Sequence, residues 1–278
     1  MLGVMTVKTP LTSPSARRAT DLAKQYSLGT ILVIWGSVTV PMGLLAFIAA
    51  PALIAQSTLK AGLVYWMLMV VGMVWQFIVS VAVLRIELGT LRWSAVKARL
   101  WLNRPLNPRT GQPQRRLWWW AIPAILANTV LGSLVAGLDQ AWTSALLGIV
   151  PAELVEPSYT NIATLNDPAL QGQWWILGLA LVSALFNYVL GEELLFRGIL
   201  LPRMAGVFGR WDWVANTVLF GLYHVHKFWY WPSMIVGSLG IAWAAKRYRS
   251  MWMAVAVHGV EGIVLIVIVL AVLLGLAQ

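Results

Sequence analysis

The chain is laid out as long apolar runs separated by short polar or basic stretches. About 20 apolar residues suffice for a helix to cross a ~30 Å hydrocarbon core. The runs predict spans at about 28–55, 62–86, 118–138, 173–200, 212–230, 233–245 and 251–276. None alternates in the ten-residue manner of an outer-membrane β-strand. The expected fold class is all-α, a polytopic transmembrane helical bundle of about seven spans. A helix at about 141–150, if re-entrant or spanning, would be an eighth. Pro41 interrupts the first span and predicts a kink there.

The polar stretches orient this bundle. Residues 1–27 carry Lys8, Arg17, Arg18 and Lys24 among small polar residues. They are expected to form a disordered cytoplasmic tail, with 28–278 as a single transmembrane domain. Between 87 and 116, seven Lys and Arg face one acid, Glu87. Within this stretch, 91–101 mixes apolar and cationic positions and predicts an interfacial amphipathic helix. Trp118, Trp119 and Trp120 open the third span as an aromatic belt. Residues 139–172 hold four acids, no Lys or Arg, and Pro151, Pro157 and Pro168, which reads as a loop on the opposite face. Alternation puts Arg203, Arg210, Lys246, Arg247 and Arg249 on the same side as the tail. The positive-inside rule then makes the N-terminus cytoplasmic. The expected location is a plasma membrane, that of a bacterium, with the lipid bilayer as an obligatory partner.

Composition agrees: hydrophobic residues make up 59%, charged residues 11%, and mean hydropathy is +0.75. A soluble domain has about 25% charged residues. With no cysteine, disulfides, thiolate catalysis and Cys-ligated zinc are excluded. The net charge of +10 comes without a nucleic-acid motif, so no nucleic acid is expected as partner. Ser233, Gly237, Gly240 and Ala244 form a small-residue stripe, which reads as a helix-packing face. Oligomeric state is not legible, and no internal repeat supports an inverted-repeat transporter.

Against this background, Glu192, Glu193 and Glu261 stand inside apolar runs. A charge near the bilayer centre costs at least ~2.5–3.5 kcal/mol, so such groups usually face a polar cavity and act there. Glu193 and Arg197 are spaced i,i+4 for an ion pair. That pairing leaves Glu192 free to face a cavity. His224 lies one turn after Phe220, and His258 shares a helix side with Glu261 and Gly262. His226 reads as interfacial. A desolvated glutamate with two imidazoles from neighbouring helices can take a proton from water. The histidines could orient that water, stabilise an oxyanion, or hold a divalent metal such as zinc with Glu192. The spacing is not that of a His-Glu-x-x-His zinc helix. Proton relay in a transporter uses the same residue types.

Glu192-Glu193-x-x-x-Arg197, Phe220-x-x-x-His224 and His258, with Phe196-Arg197-Gly198 after the acids, resemble the three motifs of the CAAX protease and bacteriocin-processing family. The resemblance covers about residues 173–265. It implies an intramembrane endopeptidase acting on a peptide or membrane-protein substrate. Glu192 would activate water. His224 and His258 would orient groups, stabilise an oxyanion or bind metal, and Glu193 and Arg197 would support them. The third motif usually has Asn or Asp four residues after its histidine. Gly262 stands there instead, and Glu261 is the neighbouring carboxylate that could substitute. A non-catalytic scaffold or immunity-type relative of the same fold is the alternative, and a proton-coupled transporter a further one. The expected cavity is conical and opens to the cytoplasmic leaflet. Helical rise puts Glu192 about 10–12 Å and His258 about 10 Å from the inner ends of their spans, but His224 nearer 18 Å.

Overall fold

The computed structural model describes residues 25–276, and the expected tail lies, up to residue 24, outside them. Among the described residues there is no strand, only an isolated bridge between Leu106 and Pro113. Helices α1 (Leu28–Ile54), α2 (Ala61–Leu88), α4 (Arg115–Leu146), α5 (Trp175–Arg203) and α9 (Met251–Leu273) are each long and apolar enough to cross a membrane. A short α3 (Trp93–Arg99) lies between α2 and α4. Between α5 and α9 come α6 (Asp212–Tyr223), α7 (Trp231–Gly237) and α8 (Leu239–Tyr248). Val33, Ile86, Leu134 and Ile263 are each well over half exposed on the outside of the bundle. A soluble surface would not tolerate such a belt, whereas lipid covers it at no cost. The chain is an all-α integral membrane protein.

Two expected spans are not single long helices. The run at 212–230 stops at Tyr223, because the imidazole of His224 competes for a backbone acceptor. His224 Nδ1 lies 2.8 Å from the Phe220 carbonyl, so the His224 backbone N–H turns to Gly221 O at 3.1 Å. A 3₁₀ segment, Val225–Tyr230, follows. The run at 233–245 is divided at Ser238 into α7 and α8. The segment at 141–150 is no separate span. Its first part is the end of α4, and Asp139 is a buried helix residue rather than part of a loop. Asp139 Oδ1 accepts the backbone N–H of Ser233 at 3.0 Å, capping α7 from a neighbouring helix.

The small-residue stripe packs on α4 as expected. A Cβ at Gly237 would sit 3.5 Å from Gly132 Cα, and Gly240 N–H donates to Asn128 Oδ1 at 2.7 Å. In α1, Pro41 lacks the N–H that would bond the Ser37 carbonyl. Trp75 Nε1 of α2 supplies it at 2.9 Å, and a π-helical turn, Leu45–Ala49, follows the proline.

The basic face is tied at Glu87. Its carboxylate accepts from Tyr26 Oη (2.8 Å), Arg99 Nε (2.7 Å) and Arg203 Nη2 (2.7 Å). Arg99 also donates to the carbonyls of Gly198 and Ile199, both at 3.0 Å. The expected amphipathic helix is therefore only seven residues long, and its last arginine turns inward as a brace. On the opposite face, residues 147–174 form a series of 3₁₀ turns over the helix ends. Lys60 pairs there with Asp167, and that ammonium holds the Asp167 carboxyl below its ordinary value.

Candidate active site

The acids occupy an unusual stretch of α5. Phe186–Gly191 and Glu193–Leu200 are π-helical, a form frequent at functional sites. A π-turn stacks i on i+5, so Asn187 rather than Tyr188 comes to lie beside Glu192. With its amide nitrogen toward the carboxylate, Asn187 donates to Oε1 at 3.1 Å and to Oε2 at 2.9 Å. Gly191 has no room for a side chain. A Cβ there would lie 2.5 Å from Phe186 O and 3.1 Å from Met73 O of α2.

Glu192 and Glu193 are both buried and have different partners. Glu193 Oε1 accepts from Arg197 Nη1 at 3.1 Å and lies 2.9 Å from His258 Nδ1. Arg197 is fully buried, with its guanidinium carbon 4.0 Å from the centre of the Phe220 ring. Phe220 also meets the His224 and His258 rings edge-on, at 4.8 Å and 5.7 Å. Among the described residues Glu192 has no salt bridge to an arginine or lysine; His224 Nε2 lies 3.6 Å from its Oε1.

Both imidazoles are fixed through Nδ1, His224 by a backbone carbonyl and His258 by Glu193. Each therefore turns Nε2 into the site, the tautomer being set by the hydrogen bond at the other nitrogen. A carboxylate and a bare Nε2 3.6 Å apart are two acceptors, which a water molecule can satisfy with its two protons. The other carboxylate, Glu261, is largely exposed, with Oε2 3.6 Å from His258 Nε2. Among the described residues no three His, Cys, Asp or Glu side chains gather as a metal-holding set. Glu192, His224 and His258 do not form such a set.

The six expected residues thus form one cluster: Glu192 with His224, Glu193 with Arg197 and His258, and Glu261 at its rim. The depth mismatch does not keep them apart: His224 Nε2 lies 3.6 Å from Glu192 Oε1, and His258 Nδ1 lies 2.9 Å from Glu193 Oε1. His226 is buried and lines the cavity rather than an interface, with its carbonyl accepting from Tyr65 Oη at 3.1 Å.

A cavity of about 360 Å³ opens over the cluster, lined by Glu192, His224, His258 and Glu261. Wall residues that carry no signal in the sequence include Asn187, Ser183, Tyr223, whose buried hydroxyl has no hydrogen-bond partner among the described residues, and Lys227, the one Lys or Arg among the described lining residues. Tyr223 directly precedes His224, but no periodicity marks it. A second hollow, about 480 Å³, shares His224, His258 and Glu261 with the first and is lined by Asn128, Ser133 and Ser238. Contrary to expectation, neither hollow has a wall on the basic-loop side of the cluster.

Fold and site together define a polytopic helical membrane protein with buried carboxylate–imidazole chemistry. Residues 173–264, about a third of the chain, match the family model described as Type II CAAX prenyl endopeptidase Rce1-like. This segment carries all three motifs, and through it the chain is similar to the CAAX protease family. That family is one of proteases, whose substrates are peptides met in a membrane setting. Comparison with curated proteins and with solved structures returned no match.

Proposed function

We propose that the protein is an intramembrane endopeptidase in which Glu192 activates water for peptide-bond hydrolysis. The observation that carries this reading is the state of Glu192. It is buried, held by Asn187, without a salt bridge to an Arg or Lys among the described residues, and paired at 3.6 Å with the open Nε2 of His224. Water between these two acceptors would lose a proton to Glu192 as its oxygen bonds to the substrate carbonyl carbon. The oxyanion would meet His258 Nε2, when that nitrogen carries a proton, and the unpartnered Tyr223 hydroxyl. Collapse breaks the C–N bond, and the proton held by Glu192 passes to the leaving amine. Glu193 and Arg197 act through His258 and are positioning residues.

Glu192→Gln keeps shape and removes basicity. Reconstituted protein should lose cleavage of a membrane-anchored peptide by ~10²–10⁴-fold, the range for a lost general base. Full cleavage by the variant sinks the assignment. A second reading, a non-catalytic relative with a scaffold or immunity role, draws on one feature. The Tyr188 ring fills the space where the family's Asn or Asp would stand, against Gly262. Under that reading the substitution leaves the cellular phenotype unchanged.

A further inference from the structure

The cavity has a direction. Helix α2 starts at the face covered by residues 147–174, and it lines the hollow only from Gly62 to Met73, its first half. Helix α9 runs the opposite way and contributes from His258 onward to Ile268. Helix α5 contributes Ser183 to Glu192 and nothing beyond. Tyr159, Asn161 and Leu165, from the covering turns, complete the mouth. At the helical rise this is a hollow about 15 Å deep with the catalytic cluster at its floor.

Below that floor the packing is closed. Leu195, Phe196, Ile199, Leu200 and Met204 are fully buried, and Met251 nearly so. Arg99 fastens the basic loop across the carbonyls of Gly198 and Ile199. The second hollow takes Ser233 to Ser238 from α7 and its junction with α8, again short of the basic end.

We propose that substrate reaches Glu192 from the face opposite the basic loops, as an extended apolar polypeptide segment. An extended chain spans ~3.3–3.6 Å per residue, so the hollow accommodates about four residues. Met69, Met73, Tyr65 and Trp66 make its wall apolar, and methionines adapt to side chains of differing shape. In the orientation set by the positive-inside rule this is the non-cytoplasmic face. The substrate class is therefore a translocated or membrane-anchored polypeptide whose apolar segment lies on that side. This assignment of substrate rests on the hydrolase reading; the direction of access rests on the packing alone.

The chain has no cysteine, so single-cysteine variants report cleanly. Met69→Cys and Met73→Cys probe the cavity wall, Asn161→Cys its mouth, and Arg109→Cys the basic face. A charged, membrane-impermeant thiosulfonate is added to vesicles of each orientation. Both wall cysteines should react from the side that modifies Asn161→Cys, and their modification should abolish peptide cleavage. Reaction of the wall cysteines from the Arg109 side, or from neither side, overturns the proposal. The expected labelling pattern without any Glu192-dependent cleavage would leave the access route standing and remove the hydrolase reading. Cleavage with labelling from the basic side would do the reverse.

Discussion

Placing alanine at Gly262 should destabilise the protein, although alanine is the better helix former. Gly262 is buried in α9, and a Cβ built there lies 2.5 Å from both Cδ2 and Cε2 of Tyr188. Carbon atoms rest at about 3.5–4.0 Å, so the ring must retreat by about 1 Å. It has little freedom to do so, being buried and edge-on to His258 at 4.8 Å. Overpacking of this kind costs about 1–3 kcal/mol. Gly259, one turn earlier on the same helix, has nothing within 4 Å of its Cβ position. Alanine there should gain up to ~1 kcal/mol from helix propensity alone. The two alanines should therefore differ by about 1–3 kcal/mol, with Gly262→Ala the less stable. Unfolding in detergent micelles, followed by tryptophan fluorescence, measures this difference. Adding Tyr188→Ala should cancel the penalty at 262, giving a coupling of the same size. Equal stability of the two alanine variants, or additive effects of the 188 and 262 substitutions, would refute the steric argument.

Three further outcomes are expected. Glu193→Gln leaves the fully buried Arg197 without its counter-charge and should cost about 3–5 kcal/mol in the same unfolding assay. Most of that loss should return when Arg197→Met is added. Asn187→Ala removes two hydrogen bonds to the Glu192 carboxylate, worth ~1.5–3 kcal/mol for a charged acceptor. A fall of ~10- to 100-fold in kcat with KM little changed would follow, and an unchanged kcat would dismiss Asn187 as a positioning residue. Asp139→Ala strips the cap from α7 and should cost about 0.5–2 kcal/mol, read as faster hydrogen exchange at Ser233 and Met234.

What could be read from the sequence followed from simple periodicities. Apolar length gave the long helices, i,i+4 spacing gave the Glu193–Arg197 pair, and the run of small residues gave the face of α7 and α8 that meets α4. Two departures from the expected pattern share a cause, backbone that leaves 3.6 residues per turn. The π-turns of α5 put Asn187, five residues earlier, beside Glu192, where a regular α-helix would put the residue four earlier. The carbonyl taken by the His224 ring cut one expected span short and lifted His226 into the cavity wall. Asp139 looked like a loop acid because nothing in its neighbourhood announces that a distant N–H, that of Ser233, will receive it. The direction of the cavity was illegible for a different reason. It depends on where side chains from four helices fail to fill space, and apolar residues lining a void are spelled no differently from apolar residues filling one.

The widened turns of α5 carry a consequence for how this helix can change. A π-turn holds one residue more than the α-turn it replaces. Deleting a single residue between Phe186 and Gly191 would let the segment wind back to ordinary α-geometry, while the apolar character of the span survived. Because the shorter α-turn closes the same circuit, the two flanks would keep their bearing, and Asn187 would stay beside Glu192 as an i,i+4 pair. The same deletion in the α-helical stretch Trp175–Leu185 would instead swing one flank by about 100° relative to the other. The widened turns are thus slack, a place where this helix can lose a residue without turning its carboxylate away from His224.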